Sequence, residues 1–214
     1  PDIIAATNWL FNHEQLLHII SRAKALLPHC CIVLGGPEFL GNNEAFLYKN
    51  KFVSGVFRGE GEEVFPQWLK VWNHSKETWK SITGLCYLDE NGRYQDNGIA
   101  RVMNFSQLVS PEKSCFFNWS KPFVQLETTR GCFKPCEKPV RTIPLEAIRE
   151  RLNDIHQHGI KNVRVLDRTF NYNNKRAKEL LDLFRQYPDI CFHLEIHPAL
   201  LSEELKQELS VLPK

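Results

Sequence analysis

Short apolar runs alternate with segments of helical period almost from end to end of this 214-residue chain, and that alternation leaves few folds open. "DIIAAT" (2–7) reads as a buried strand. "EQLLHIISRAKALLP" follows, with Leu16, Ile19, Ile20, Ala23 and Leu27 on one helical face and Pro28 at its end. "CCIVLGG" (30–36) is a near-continuous apolar run, as expected of a parallel strand covered on both faces. "VSGVFRG" (53–59) is another. "EEVFPQWLKVW" then carries Val64, Phe65, Trp68, Leu69 and Trp72 at helical spacing, with Pro66 in the first turn, where its missing N–H is harmless. Such a succession implies a parallel sheet with right-handed crossovers. The pattern changes at "GLCYLDENGRYQDNG" (84–98), where Asn91-Gly92 between alternating runs predicts a hairpin.

Between Val102 and Lys121 no clear period runs, and 106–121 reads as a linker. From Phe123 the rhythm resumes. "FVQLETT" is a strand; "PLEAIRERLNDIHQHG" sets Leu145, Ile148, Leu152 and Ile155 on one face, opened by Pro144 and closed by Gly159. "KNVRVLD" is a strand, and "NNKRAKELLDLFRQYP" a helix capped by Asn173 or Asn174 with Ala177, Leu180, Leu181 and Phe184 inward. "ICFHLEIH" is a strand, and "SEELKQELSVL" a helix capped by Ser202. A complete βα barrel takes about 250 residues, so 122–214 reads as the first three βα units of a truncated barrel. The expected fold is α/β: a Rossmann-like parallel-sheet domain over 1–105 with a small hairpin at 84–98, the linker 106–121, then the partial barrel.

Apolar residues make up 43% and charged residues 24%, ordinary for a globular chain, and the net charge of +2 singles out neither nucleic acid nor an anionic membrane. No run approaches the length of a spanning helix, and no secretory leader is evident. Seven cysteines at irregular spacing argue against a disulfide framework and for a reducing cytoplasm, with Cys30, Cys31 and Cys191 expected in the core. Barrels place their chemistry at the C-terminal ends of the strands. Three features fall there: Arg130-Gly131-Cys132-Phe133-Lys134-Pro135-Cys136 after the first strand, Asp167, Arg168 and Asn171 after the second, and His193, Glu195 and His197 on one face of the third. Thiolates suit soft metals and iron–sulfur clusters, and Gly131 allows backbone to come close.

"ETTRGC" at the end of a first barrel strand, with a second cysteine four residues on, resembles the radical S-adenosylmethionine (SAM) family, whose motif is C-x3-C-x2-C. The preceding residues resemble the cobalamin-binding domain fused to one branch of that family: "PDII" opens a strand, "IVLGGPE" (32–38) ends another, and "GEGEEVF" (59–65) follows a third. "KPVR" (138–141) and "DRTFN" (167–171) are similar to segments that follow the cluster loop. The resemblance implies three thiolates on a 4Fe–4S cluster, SAM on its open iron, and reductive cleavage of SAM to methionine and a 5′-deoxyadenosyl radical. In cobalamin-dependent members it implies methyl transfer. Cys132 and Cys136 match the first two cluster ligands, Glu195 and Asp167 match SAM contacts, and Gly35, Gly36, Gly59 and Gly61 match turns facing the corrin or its tail. No catalytic residue is assigned. The third cysteine would fall at position 139, where Pro139 stands; the reading is that residues are missing between Glu137 and Lys138.

An electron donor of flavodoxin or ferredoxin type is the implied partner, and the substrate, small or macromolecular, is not legible. Two other readings compete: a metal-dependent hydrolase using His193, Glu195 and His197, and a degenerate, non-catalytic relative that binds without a cluster.

Overall fold

In this computed structural model, which describes residues 1–131 and 140–212, the apolar runs become strands and the alternate residues of each run part to opposite sides. The first unit spans Pro1–Met103. Strands β1 (Ile3–Thr7), β2 (Cys31–Gly35) and β3 (Gly55–Phe57) are parallel and adjacent, with Ile3 opposite Cys31 and Val33 opposite Gly55. The hairpin of β4 (Leu85–Leu88) and β5 (Tyr94–Asp96) adds on antiparallel, Val56 facing Cys86, so a five-stranded sheet runs β1-β2-β3-β4-β5. The hairpin is therefore the far side of the main sheet.

Ile32, Leu34 and Val56 pack on one face with Ile20, Phe39 and Leu47, contributed by α1 (His13–Leu26), a short turn at 37–39 and α2 (Glu44–Lys49). Val33 and Phe57 point the other way into an aromatic layer with Trp68 of α3 (Val64–Leu69), Trp79 and Tyr87. Pro66 lies within the first turn of α3, where the ladder has no use for its N–H. The buried face of α1 centres on Leu16, Leu17 and Ile20; Ile19, expected there, is exposed.

The second unit, Asn104–Lys214, holds a parallel sheet of β6 (Val124–Leu126), β9 (Asn162–Val165) and β10 (Cys191–His193) in the order β10-β9-β6. Its helices α4 (Leu145–Gln157), α5 (Asn174–Phe184) and α6 (Glu203–Ser210) alternate with the strands. Ile148, Leu152 and Ile155 of α4 and Ala177, Leu180, Leu181 and Phe184 of α5 are fully buried against Val163, Val165 and Leu126. Asn173 and Ser202 cap α5 and α6 by accepting from the Arg176 and Leu205 amides, and Gly159 ends α4 at φ +71°. Cys191 is exposed rather than core, because strand alternation sets it opposite Phe192, which packs on the core.

Residues 106–121, expected to be a linker, carry a buried carboxylate. Glu112 accepts from Arg151 Nε and Nη2 of α4 at 3.0 and 2.7 Å and from the Ser110 hydroxyl, while Arg151 also donates to the Gln125 carbonyl. Phe117 and Trp119 pack against the second unit's core, and Trp119 stacks on His158 at 3.7 Å.

Candidate functional site

At the C-terminal ends of the first unit's parallel strands lies a groove of about 600 Å3, lined by Thr7, Gly35, Gly36, Phe57, Gly59, Gly61 and residues beside them. All four glycines singled out in the sequence thus meet on one surface. Two of them are sterically required. Gly36 has φ +108°, and a Cβ there would sit 2.5 Å from the Asn8 carbonyl oxygen; Gly59 has φ +104°, and its Cβ would meet the Ala100 oxygen at 2.2 Å. Gly61 differs: a Cβ would meet nothing within 4 Å, so its bare backbone borders open space. The walls of the groove are mainly apolar, from Ala5, Val33, Phe57, Phe65 and Pro66. Glu60, between the two glycines, turns away and accepts from the Val102 amide at 2.7 Å, fixing the loop.

Beside the groove, Asn8 is fully buried, with Nδ2 against His13 Nδ1 at 2.9 Å and an Oδ1 that has no hydrogen-bond partner among the described residues. A glycine-bordered groove with mainly apolar walls suits part of a large ligand, and its place at the carboxyl ends of parallel strands is where such sheets bind one. Sequence reasoning found the glycines and missed Asn8, Phe65 and Pro66. Their signal was position alone, since open α/β sheets bind beyond the carboxyl ends of their strands.

The second unit's strand ends are built otherwise. Asp167, just past β9, is buried and accepts from the Thr128 and Thr129 amides at 2.9 and 3.0 Å on Oδ1 and from the Thr128 hydroxyl on Oδ2. Both oxygens are taken by the chain, so Asp167 is placed as a pin for the end of β6 rather than as a free ligand for SAM. Burial pushes the nearby Tyr172 phenol up and Arg176 pulls it down, with Asp167 adding a smaller upward push. Glu195 is half-exposed and ion-paired with Arg164 at 3.4 Å; its carboxylate remains accessible.

Immediately after the pinned threonines, β7 (Thr129–Arg130) pairs antiparallel with β8 (Arg141–Thr142), Thr129 opposite Thr142. This ladder, unforeseen in the sequence, brings the two flanks of the cysteine segment side by side. Arg130 is held by Glu127 in two bonds of 2.9 and 2.8 Å, and the Arg130 and Arg141 guanidiniums lie 5.5 and 5.0 Å from the Phe105 ring centre. Cys132, Cys136, Glu137, Lys138 and Pro139 lie outside the described residues, and with them the cluster ligands and the expected break in the sequence.

The hydrolase reading does not hold. β10 ends at His193, and the chain beyond is governed by Asn171, which accepts from the His197 amide at 2.8 Å and donates to the His197 carbonyl at 3.0 Å. His193 and Glu195 are both exposed while Phe192 and Leu194 pack on the core, but sharing a side does not bring His193, Glu195 and His197 to one point. Among the described residues no three His, Cys, Asp or Glu side chains converge on a metal position. Burial pushes the Cys31 and Cys86 thiols up, which keeps them protonated and poor ligands. Among the described residues no helix is long and apolar enough to cross a membrane.

No protein-family model matches the chain. The fold, an α/β sheet domain followed by βα units, is similar to part of the solved structures of cobalamin-dependent radical SAM enzymes. The radical SAM methyltransferase TsrM from Kitasatospora setae, solved with cobalamin and a 4Fe–4S cluster bound, superposes with a TM-score of 0.71 at 15% identity over 98% of this chain and 46% of its own. In sequence, an uncharacterized methyltransferase of Pyrococcus horikoshii is 27% identical over 196 residues, 84% of this chain and 42% of the relative. The cobalamin-dependent radical SAM methyltransferase TokK of Streptomyces tokunonensis is 19% identical over 188 residues, 79% and 28%. This chain is therefore a homologue of methyltransferases that include cobalamin-dependent radical SAM enzymes, and it spans less than half the length of each.

Proposed function

We propose that this chain is part of a cobalamin-dependent radical SAM methyltransferase. The observation that carries the reading is the groove at the ends of β1, β2 and β3, where Gly35, Gly36, Gly59 and Gly61 share one apolar surface. In this reading the groove seats cobalamin, with Gly61 letting backbone approach it. Cys132 and Cys136 would hold two corners of a 4Fe–4S cluster, at the end of the strand that Asp167 pins. Arg130, locked to Glu127, and the β7–β8 ladder would fix where that segment leaves and rejoins the sheet. Glu195 is the carboxylate left accessible for SAM. When bound, these groups supply reductive cleavage of SAM by an electron from a flavodoxin- or ferredoxin-type donor, and carriage of a methyl group to a substrate.

The degenerate, cluster-free relative predicts a different outcome for the same experiment. The chain is expressed without oxygen, reconstituted with iron and sulfide, and titrated separately with hydroxocobalamin. Absorption near about 400 nm, lost on Cys132→Ala, is expected of an iron–sulfur thiolate centre. A colourless protein that still perturbs the cobalamin spectrum removes the cluster and leaves the seat. Unperturbed cobalamin at high protein concentration removes the seat.

A further inference from the structure

At the end of the first unit's sheet opposite the glycine groove, a smaller pocket of about 260 Å3 opens beside the start of β3. Lys24 of α1, Tyr48 of α2, Lys51, Ser54 and Lys76 share its wall. Three lysines from three separate segments thus meet there, and no carboxylate lines the pocket among the described residues. Lys24 Nζ donates to the Cys30 carbonyl at 2.7 Å and Lys76 Nζ to the Leu88 carbonyl. Each of these two ammoniums is steadied by one acceptor and keeps further N–H donors to give. Lys76 is half-buried, and burial holds its ammonium below the usual range, with Cys31, Asp89 and Glu90 pushing the other way. Asp89 is already spent on its own hairpin: Oδ1 accepts from the Asn91 and Arg93 amides at 2.9 Å each, and Oδ2 from the Gln95 amide group at 3.0 Å. Burial pushes the Cys31 thiol up, and Ser54, Lys24 and Lys76 all draw it down, so both cations reach the start of β2.

We propose that this pocket binds a phosphoryl group, either as inorganic phosphate or as the phosphate end of a small ester. Three cations around one small cavity repel one another, and a dianion set between them turns that repulsion into attraction. Lysine binds phosphate as a point charge, and ammoniums arriving from three segments match a tetrahedral anion with oxygens on every side better than a flat, singly charged carboxylate. Tyr48 and Ser54 bring hydroxyls to the same wall. The volume lies below the usual range for whole drug-sized ligands, which suits a compact anion or one end of a longer molecule. Pocket and groove stand at opposite ends of the sheet, so the proposal holds whether or not the groove seats cobalamin.

Equilibrium dialysis of the full chain against radiolabelled inorganic phosphate, adenosine monophosphate and acetate tests the site, at about 0.15 M NaCl so that scattered surface charges are largely screened. Phosphate or the monophosphate is expected to bind, and acetate to bind far more weakly. Tighter binding of the monophosphate identifies the end of an ester as the ligand; tighter binding of phosphate identifies the free anion. Lys51→Glu is expected to weaken binding by about tenfold or more, and Lys51→Arg to keep most of it. Lys76→Met should weaken it at least as much as Lys51→Glu. Lys51 is exposed, so Lys51→Glu alone decides should Lys76→Met fail to fold. Neither phosphate nor the monophosphate binding at millimolar concentration overturns the proposal. So does acetate held as tightly as phosphate, or phosphate affinity unchanged in folded Lys51→Glu.

Discussion

The two units finish their strands in opposite ways. In the first, the strand ends open because atoms are left out: Gly35, Gly36, Gly59 and Gly61 border a groove with apolar walls. In the second, the strand ends are tied by polar side chains that reach across the sheet, Asp167 to Thr128 and Thr129, Asn171 to His197. Omission makes room for something large, whereas buried hydrogen-bonded carboxylates and amides aim the chain. It follows that the first unit should be damaged by adding carbon and the second by removing oxygen.

Substitutions can break this contrast, and the largest effect belongs to Asp167. Asp167→Ala leaves two buried amides and a hydroxyl without their acceptor and should destabilise the second unit by about 4 kcal/mol. Amide hydrogen exchange at Thr128 and Thr129 reads it directly, and unchanged protection there would show that the pin does not hold β6. Glu112→Gln should follow at about 3 kcal/mol, because Arg151 is left buried with a weaker partner; adding Arg151→Met should recover much of the loss, as expected when the cost lies in the orphaned charge. Gly59→Ala should cost about 2 kcal/mol in the first unit, from a positive φ and a Cβ driven into the Ala100 carbonyl, measured as a shift in that unit's denaturation midpoint. Gly61→Ala sharpens the comparison most. Its stability should stay within about 0.5 kcal/mol of wild type, since its Cβ meets open space; any loss should appear in cobalamin affinity alone. Glu195→Gln, removing a half-exposed ion pair, should change stability by less than about 0.5 kcal/mol. A larger change would mean that Arg164 and Glu195 brace the end of β10.

Much of this was legible in the sequence, and the reasons are specific. The inward faces of α4 and α5 stand out because Ile148, Leu152, Ile155, Leu180 and Phe184 recur at helical spacing among charges. The groove glycines were legible because they end apolar runs. What escaped depends on long-range geometry. Strands β7 and β8 are two residues each, too short to show a period, and α2 is only six. Asp167 advertises a carboxylate at a strand end, but the partners that consume it lie 38 and 39 positions away. Glu112 sits in a segment without rhythm, so nothing local marks it as buried. The His193, Glu195, His197 reading rested on spacing alone, and spacing along a strand does not make three side chains converge.

The bond from the Thr128 hydroxyl to Asp167 also has an evolutionary consequence. The two residues belong to different βα units and lie side by side only in the folded sheet. The dependence is lopsided: without Asp167 the hydroxyl loses its acceptor, whereas without the hydroxyl Asp167 still holds two backbone amides on Oδ1 and only Oδ2 loses its donor. Relatives that lack an acceptor at position 167 should therefore lack a hydroxyl at 128 as well, while Asp167 should persist in some that have lost the hydroxyl. Thr129, which lends only its backbone amide, should drift independently of both.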